Sequence, residues 1–171
     1  MAVWNTRLYN PQTHQRKFLR LEFYDYSQAG FYFVTICTEM RMQLFGVIGC
    51  ANSSQTQMYP NELGQIVEQT WLDLPRHNAN ITLHEFVLMP NHMHGIIQIH
   101  NDVVGHELAE IVRQFKTFSS RKINGVRDSK GEKVWQRGFH DHVIRNQDAY
   151  LRIAEYIKTN PLRWQDDEYS R

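Results

Sequence analysis

This 171-residue sequence predicts an α+β fold, a ferredoxin-like sandwich in which an antiparallel sheet carries helices on one face. Three observations predict it. Aromatic and β-branched runs alternate with helix-period apolar stripes in the order β-α-β-β-α-β. Only the dipeptide Pro90-Asn91 separates the second strand from the third, as in a hairpin. One more helical stripe follows the fourth strand, and it is the obvious element to cover the sheet face the other two helices leave open.

The elements follow in order. Residues 1–29 read as an irregular basic arm, with Arg7, Arg16, Lys17 and Arg20 and no acid in the first 21 positions. Residues 31–38 (FYFVTICT) form a strand that is apolar on both faces. Residues 44–60, with Gly46, Gly49, Ser53 and Ser54, read as a polar insertion. Leu63, Ile66, Val67, Thr70, Trp71 and Leu74 then recur at helical spacing. Pro60-Asn61 starts that helix and Pro75 ends it. Residues 81–89 and 92–100 are the hairpin strands. Leu108, Ile111, Val112, Phe115 and Phe118 mark a second helix whose other face is basic. A Gly- and charge-rich loop spans 124–133, and a fourth strand 134–144. The third helix runs from 147 to 159. Asn146 caps it, and Asn160-Pro161 ends it because proline cannot continue the helix. Residues 164–171 are an acidic, polar tail. There is no internal repeat.

Composition narrows the function classes. No apolar run is long enough to span a bilayer, and no signal-peptide core opens the chain. Two cysteines, Cys37 and Cys50, make no disulfide framework, and a reducing cytoplasm is the simplest setting. The formal net charge is only +1, but residues 113–145 hold nine cations against three acids, a local +6. With the basic arm, these residues form either a phosphate-binding face for nucleic acid or ordinary solvated surface.

His92 and His94 stand at i and i+2 on a strand, so both imidazoles share one face, roughly 7 Å apart along the backbone. Met93, Ile97 and Ile99 face the other way, toward a core. Such a pair is either two satisfied strand histidines or a clamp for one divalent cation. On the third helix, Tyr150, Ile153, Ala154 and Ile157 form the apolar stripe, which makes Tyr150 a core tyrosine. Tyr156 lies on the flank of that stripe, and Asn160 shares its face. Tyr156 either packs at a boundary or looks into a cleft, and Asn160 either stops the helix or joins Tyr156 there.

Together these residues suit one chemistry. A phenolate attacks phosphorus and holds it covalently, while a metal relieves charge on the phosphate. Two histidines and an amide oxygen would hold Mg²⁺ or Mn²⁺ loosely, whereas a structural zinc would want a fourth protein ligand. His140 and His142 are a competing i, i+2 pair, but Arg137 and Arg145 beside them suit a cation poorly. Trp135 and Phe139 either stack on unpaired bases or pack in the sheet.

Four segments carry a family resemblance: YSQAGFYFVTICT at 26–38, VLMPNHMH at 87–94, VWQRGFHDHVIR at 134–145 and YIKTNP at 156–161. In this order they closely resemble the REP-associated tyrosine transposases, in the single-tyrosine branch of the HUH endonucleases. The resemblance covers about residues 16–163, with the domain itself at 30–163. It implies the HUH-endonuclease version of the fold, with a C-terminal catalytic helix. It implies that Tyr156 is the nucleophile and that His92, His94 and Asn160 are the metal ligands. His142 matches a recurrent family histidine without an assigned role. The implied activity is cleavage and joining of single-stranded or hairpin repeat DNA through a 5′-phosphotyrosine. Arg16, Lys17, Arg20, Arg113, Lys116, Arg121, Lys122 and Arg137 are the candidate DNA contacts, and a monomer is favoured over a homodimer. Two rivals stand beside this reading: a DNA-hairpin-binding protein without catalysis, and a metal-dependent hydrolase in which water attacks.

Overall fold

The computed structural model describes residues 28–50 and 56–166. Along the chain these form β1 (Gly30–Cys37), β2 (Gly46–Cys50), β3 (Thr56–Pro60), α1 (Glu62–Leu72), α2 (Leu74–His77), β4 (Ile81–Met89), β5 (His92–Ile99), α3 (Leu108–Val126), β6 (His140–Ile144) and α4 (Gln147–Thr159). A 3-10 helix, Asn160–Asp166, continues from α4. The main sheet has the order β4-β5-β1-β6, and every neighbouring pair is antiparallel. With the β2–β3 hairpin set aside, this is the ferredoxin-like arrangement.

Strand alternation sorts the side chains into two cores. Tyr32, Val34 and Ile36 of β1 and Met93, Ile97 and Ile99 of β5 pack with Val67 and Trp71 of α1 and Ile111 and Phe115 of α3. On the opposite face, Ile96 and Ile144 meet Ile157 of α4, with Phe31, Phe33, Val87, Ile153 and Tyr156 around them. His92 and His94 belong to this second face. Because β5 lies between β1 and β4, both imidazoles are held by a central strand, and each is buried.

The helix caps follow the sequence reading. Asn61 accepts from the Gly64 amide at 3.0 Å, and Asn146 accepts from the Ala149 amide at 2.9 Å. Four expectations are corrected. The 44–60 insertion is not merely a polar loop: it contains the β2–β3 hairpin, and Phe45 at its base is fully buried against Trp135, ring centres 5.0 Å apart. Gly46 is obligatory there, with φ +142° and the Tyr59 carbonyl 2.1 Å from where a Cβ would stand. Leu74 is not part of the first helix: α1 ends at Leu72, just ahead of Pro75, and Leu74 and Pro75 open the short α2, where a missing N–H costs nothing. The fourth strand begins at His140, not 134. Before it, the chain follows the end of β1 irregularly, with the Gln136 amide on the Cys37 carbonyl at 2.9 Å and Gly138 at φ +82°. Trp164, placed in the tail by composition, belongs to the 3-10 helix.

A bulge in β4 matters below. Leu83 pairs with Ile97 and Phe86 with Gly95, so His84 and Glu85 together oppose Ile96. Leu83 and Phe86 both pack in the first core, which leaves His84 and Glu85 on the α4 face. Among the described residues, no helix is long and apolar enough to cross a membrane.

Candidate active site

The site forms where β5 begins, beneath the C-terminal half of α4. The ring centres of His92 and His94 lie 4.7 Å apart. His92 Nδ1 is 2.8 Å from Asn91 Oδ1. An amide oxygen only accepts, so Nδ1 donates and Nε2 keeps its lone pair. Asn91 is itself oriented, its Nδ2 donating to the Arg41 carbonyl at 3.2 Å. Burial, aided by the Arg41 guanidinium, pushes the His92 imidazole down to about 3. The ring is therefore neutral at any physiological pH, the form in which imidazole binds metal.

His94 is held from three sides. Its Nδ1 meets Thr35 Oγ1 at 2.8 Å, across the β1–β5 pairing that sets Thr35 opposite His94. Phe33 stacks on the ring, centres 5.3 Å apart and planes 25° apart. Its Nε2 lies 3.2 Å from the Tyr156 hydroxyl. Tyr156 thus looks into the site, with its ring 5.2 Å from His94 and edge-on to Phe33. Tyr150 points elsewhere: its hydroxyl donates to Glu85 at 2.6 Å and lies 3.2 Å from His84 Nδ1. Burial and the Glu85 carboxylate push the Tyr150 phenol up to about 12. It is half-buried, the hub of a polar cluster and not a plain core residue.

Asn160 is fully buried where α4 passes into the 3-10 helix. In sequence it lies midway between Tyr156, which touches His94, and Trp164, whose ring lies 6.0 Å from His92 and nearly parallel to it. Trp164 is a residue that sequence reasoning missed. The 3-10 helix that carries it also packs against β3, so the hairpin at 44–60 buttresses the cover over His92. Thr35, Phe33 and Asn91 were missed as well. Thr35 and Phe33 act through strand pairing, which leaves no local signal.

The donor set fits a divalent cation. It comprises two imidazoles on one strand face, one fixed as an Nε2 acceptor by its neighbour, and a buried amide at the same end of α4. Hydrogen-bonded outer partners of this kind orient ligating histidines in metal sites. Among the described residues, no cluster of three or more His, Cys, Asp and Glu side chains is placed to hold a metal. His140 and His142 lie on the same sheet face, opposite Thr35 and Phe33, and both are exposed.

The candidate DNA contacts are scattered. Arg16, Lys17 and Arg20 lie outside the described residues. Arg137 is exposed and borders a small cavity shared with Thr35 and His140, beside His94. Arg113, Lys116, Arg121 and Lys122 are on α3, which packs on the opposite sheet face. Of these, Arg113 pairs with Glu110 at 2.5 Å. Lys116 donates to the carbonyls of Gln136 and Gly138, so it ties down the loop before β6, and burial pushes its ammonium down to about 8. Lys122 reaches Thr70 Oγ1 at 3.5 Å, and Arg121 is exposed. Trp135 is buried, its Nε1 donating to Ser119 Oγ at 2.9 Å, so it packs and does not stack on bases.

The chain is similar to known proteins in sequence and in fold. The family model described as IS200-like transposase matches residues 61–160. An uncharacterized protein of Haemophilus influenzae is 37% identical over 95% of this chain and 97% of its own length. A second H. influenzae protein, provisionally named a REP-associated tyrosine transposase, is 26% identical over 81% of this chain and 74% of its own. A solved structure of a REP-associated tyrosine transposase bound to a REP hairpin superposes with a TM-score of 0.62 at 20% identity, covering 84% of this chain and 74% of that one.

Proposed function

The chain belongs to the IS200-like transposase family of DNA-cleaving enzymes, and we propose that it nicks and rejoins single-stranded, hairpin-forming repeat DNA with Tyr156 as the nucleophile. One observation carries the reading: the Tyr156 hydroxyl stands 3.2 Å from His94 Nε2, on the face that His92 shares. The hairpin bound in the solved relative supports the substrate class. Tyr156 and His94 meet within one chain, which supports action as a monomer.

In this reading the Tyr156 oxygen attacks the scissile phosphorus. A tyrosine–phosphate bond forms, the bond to the 3′ oxygen breaks, and the phenol's proton ends on that departing oxygen. The DNA 5′ end is then held as a phosphotyrosine. Attack by a 3′-hydroxyl reverses the step and reseals the strand without ATP. His92, His94 and Asn160 would hold the divalent ion, Mg²⁺ or Mn²⁺. Bound there, it would supply Lewis-acid relief of charge on the phosphate. These donors are all neutral, so they leave the ion's charge for an arriving phosphate to balance. His94 Nε2 is also the atom the phenol meets, so using that nitrogen as a ligand would release Tyr156 from it.

Phosphate neutralisation falls to Arg121 and Arg137, with Arg16, Lys17 and Arg20 of the arm. Arg113, Lys116 and Lys122 would first have to leave their protein partners. Affinity would therefore fall steeply with salt.

The test is a hairpin oligonucleotide carrying unpaired flanks, incubated with Mn²⁺ and then denatured. A protein–DNA adduct is expected with the native chain and none with Tyr156→Phe or in EDTA. Nicked product with a protein-free 5′ end would make water the nucleophile. Tight binding that ignores EDTA, with no nick, would leave only a DNA clamp.

A further inference from the structure

A cavity of about 280 Å³ opens between the first turn of α4 and the outer sheet face, apart from the residues assigned to chemistry. Phe31, Ile144 and Tyr150 give it apolar walls. His84, Asn146 and Gln147 add polar groups, and Arg145 is an exposed cation at its rim. The walls are fixed in advance. Phe31, His84 and Tyr150 form a closed aromatic trio, with ring centres 5.1, 5.5 and 5.8 Å apart. His84 Nε2 donates to Gln98 at 3.0 Å, and the Tyr150 hydroxyl donates to Glu85. The β4 bulge is what puts both His84 and Glu85 on this face. Glu85 is further engaged by Lys158 at 3.9 Å. A bulge, two side-chain hydrogen bonds and three interlocked rings all serve a cavity that the nicking chemistry does not use.

We propose that this cavity seats one unpaired nucleobase of the bound DNA strand, with the adjoining phosphate at Arg145. The proposal rests on the nicking reading and adds a specificity site to it. Apolar walls suit the π-faces of a base, and an amide such as Gln147 suits its hydrogen-bonding edge. The Arg145 charge complements a phosphate. Tyr150 and Tyr156 are six residues apart on one helix, about 9 Å along its axis, so a short run of unpaired nucleotides bridges cavity and nucleophile. The position therefore reads sequence close to the cleaved bond.

The experiment uses the full chain and hairpin oligonucleotides in which each unpaired flanking position is made abasic in turn, then varied through the four bases. Binding and adduct formation are read from the same reactions. One position should matter: its abasic form weakens binding about 10-fold. Gln147→Ala, at an exposed residue, should reduce the preference among bases there to within about 2-fold. Arg145→Ala should weaken all sequences alike and lessen the salt dependence. Circular dichroism and a thermal melt confirm that both variants fold. If all abasic positions bind alike, or if Gln147→Ala keeps the base preference, the cavity does not seat a base. Adduct without any position effect overturns this proposal and leaves the nicking reading standing. A position effect without adduct does the reverse.

Discussion

Gly95 follows His94 in the middle of β5, paired with Val34 on one side and Phe86 on the other. Its absent side chain is occupied by Trp71: a Cβ at Gly95 would stand 2.4 Å from Cζ2 and 2.9 Å from Cη2 of that indole. Carbon atoms rest at about 3.5–4.0 Å, so Gly95→Ala demands a shift of an ångström or more. Neither partner yields easily. Trp71 is fully buried, stacked on Phe86 and edge-on to Phe115, with both ring centres 5.5 Å away. The backbone of β5 is held on both sides. Overpacking costs about 1–3 kcal/mol, and alanine recovers roughly 0.5–1 kcal/mol of the entropy glycine loses in a strand. The net loss is about 1 kcal/mol, or roughly 2–4 °C in Tm for a chain of this size. Trp71→Phe deletes both clashing atoms. The double variant should therefore lose at least about 1 kcal/mol less than the sum of the two singles. Urea and thermal melts of all four proteins measure this. A Gly95→Ala protein that melts with the native chain, or strictly additive losses, would refute the argument that Trp71 dictates glycine beside His94.

Two further outcomes follow from the site. Tyr150→Phe should cost about 1 kcal/mol after allowing for the partial exposure of the pair, yet still form the DNA adduct. The lost bond is the main reason the Glu85 carboxyl sits below its ordinary value. The stability it contributes is full above about pH 4.5 and drains as pH falls through the lowered value. Urea melts should show the gap between variant and native chain closing in acid, and a gap that persists there would contradict the assignment. Trp164→Ala should cost about 2 kcal/mol, less than a full core tryptophan because the ring is half-buried. It should also let water reach His92, so that an NMR titration finds the imidazole moving from about 3 toward its ordinary 6.5. An unmoved titration would mean that other groups keep the ring dry.

Local pattern encodes the type and place of most elements. Period-2 and period-3.6 apolar spacing located the four sheet strands and the main helices, and α4 has the bounds that its cap and its Asn-Pro end imply. Alternation along β5 by itself puts His92 and His94 on one face. The β2–β3 hairpin stays hidden because its strands are five residues each and β2 carries two glycines. The loop at 134–139 reads as strand in the sequence because Val134 and Trp135 are β-formers whose burial comes from the first core. Packing fixes which distant residues meet. Thr35 opposes His94 through a register set 59 positions away, and Trp164 covers His92 because a hairpin supports the 3-10 helix. The bulge in β4 turns two consecutive side chains toward α4. A chain carries its periodicities locally, but strand register and helix docking are fixed only when the two cores pack, and the candidate site is built from those non-local contacts.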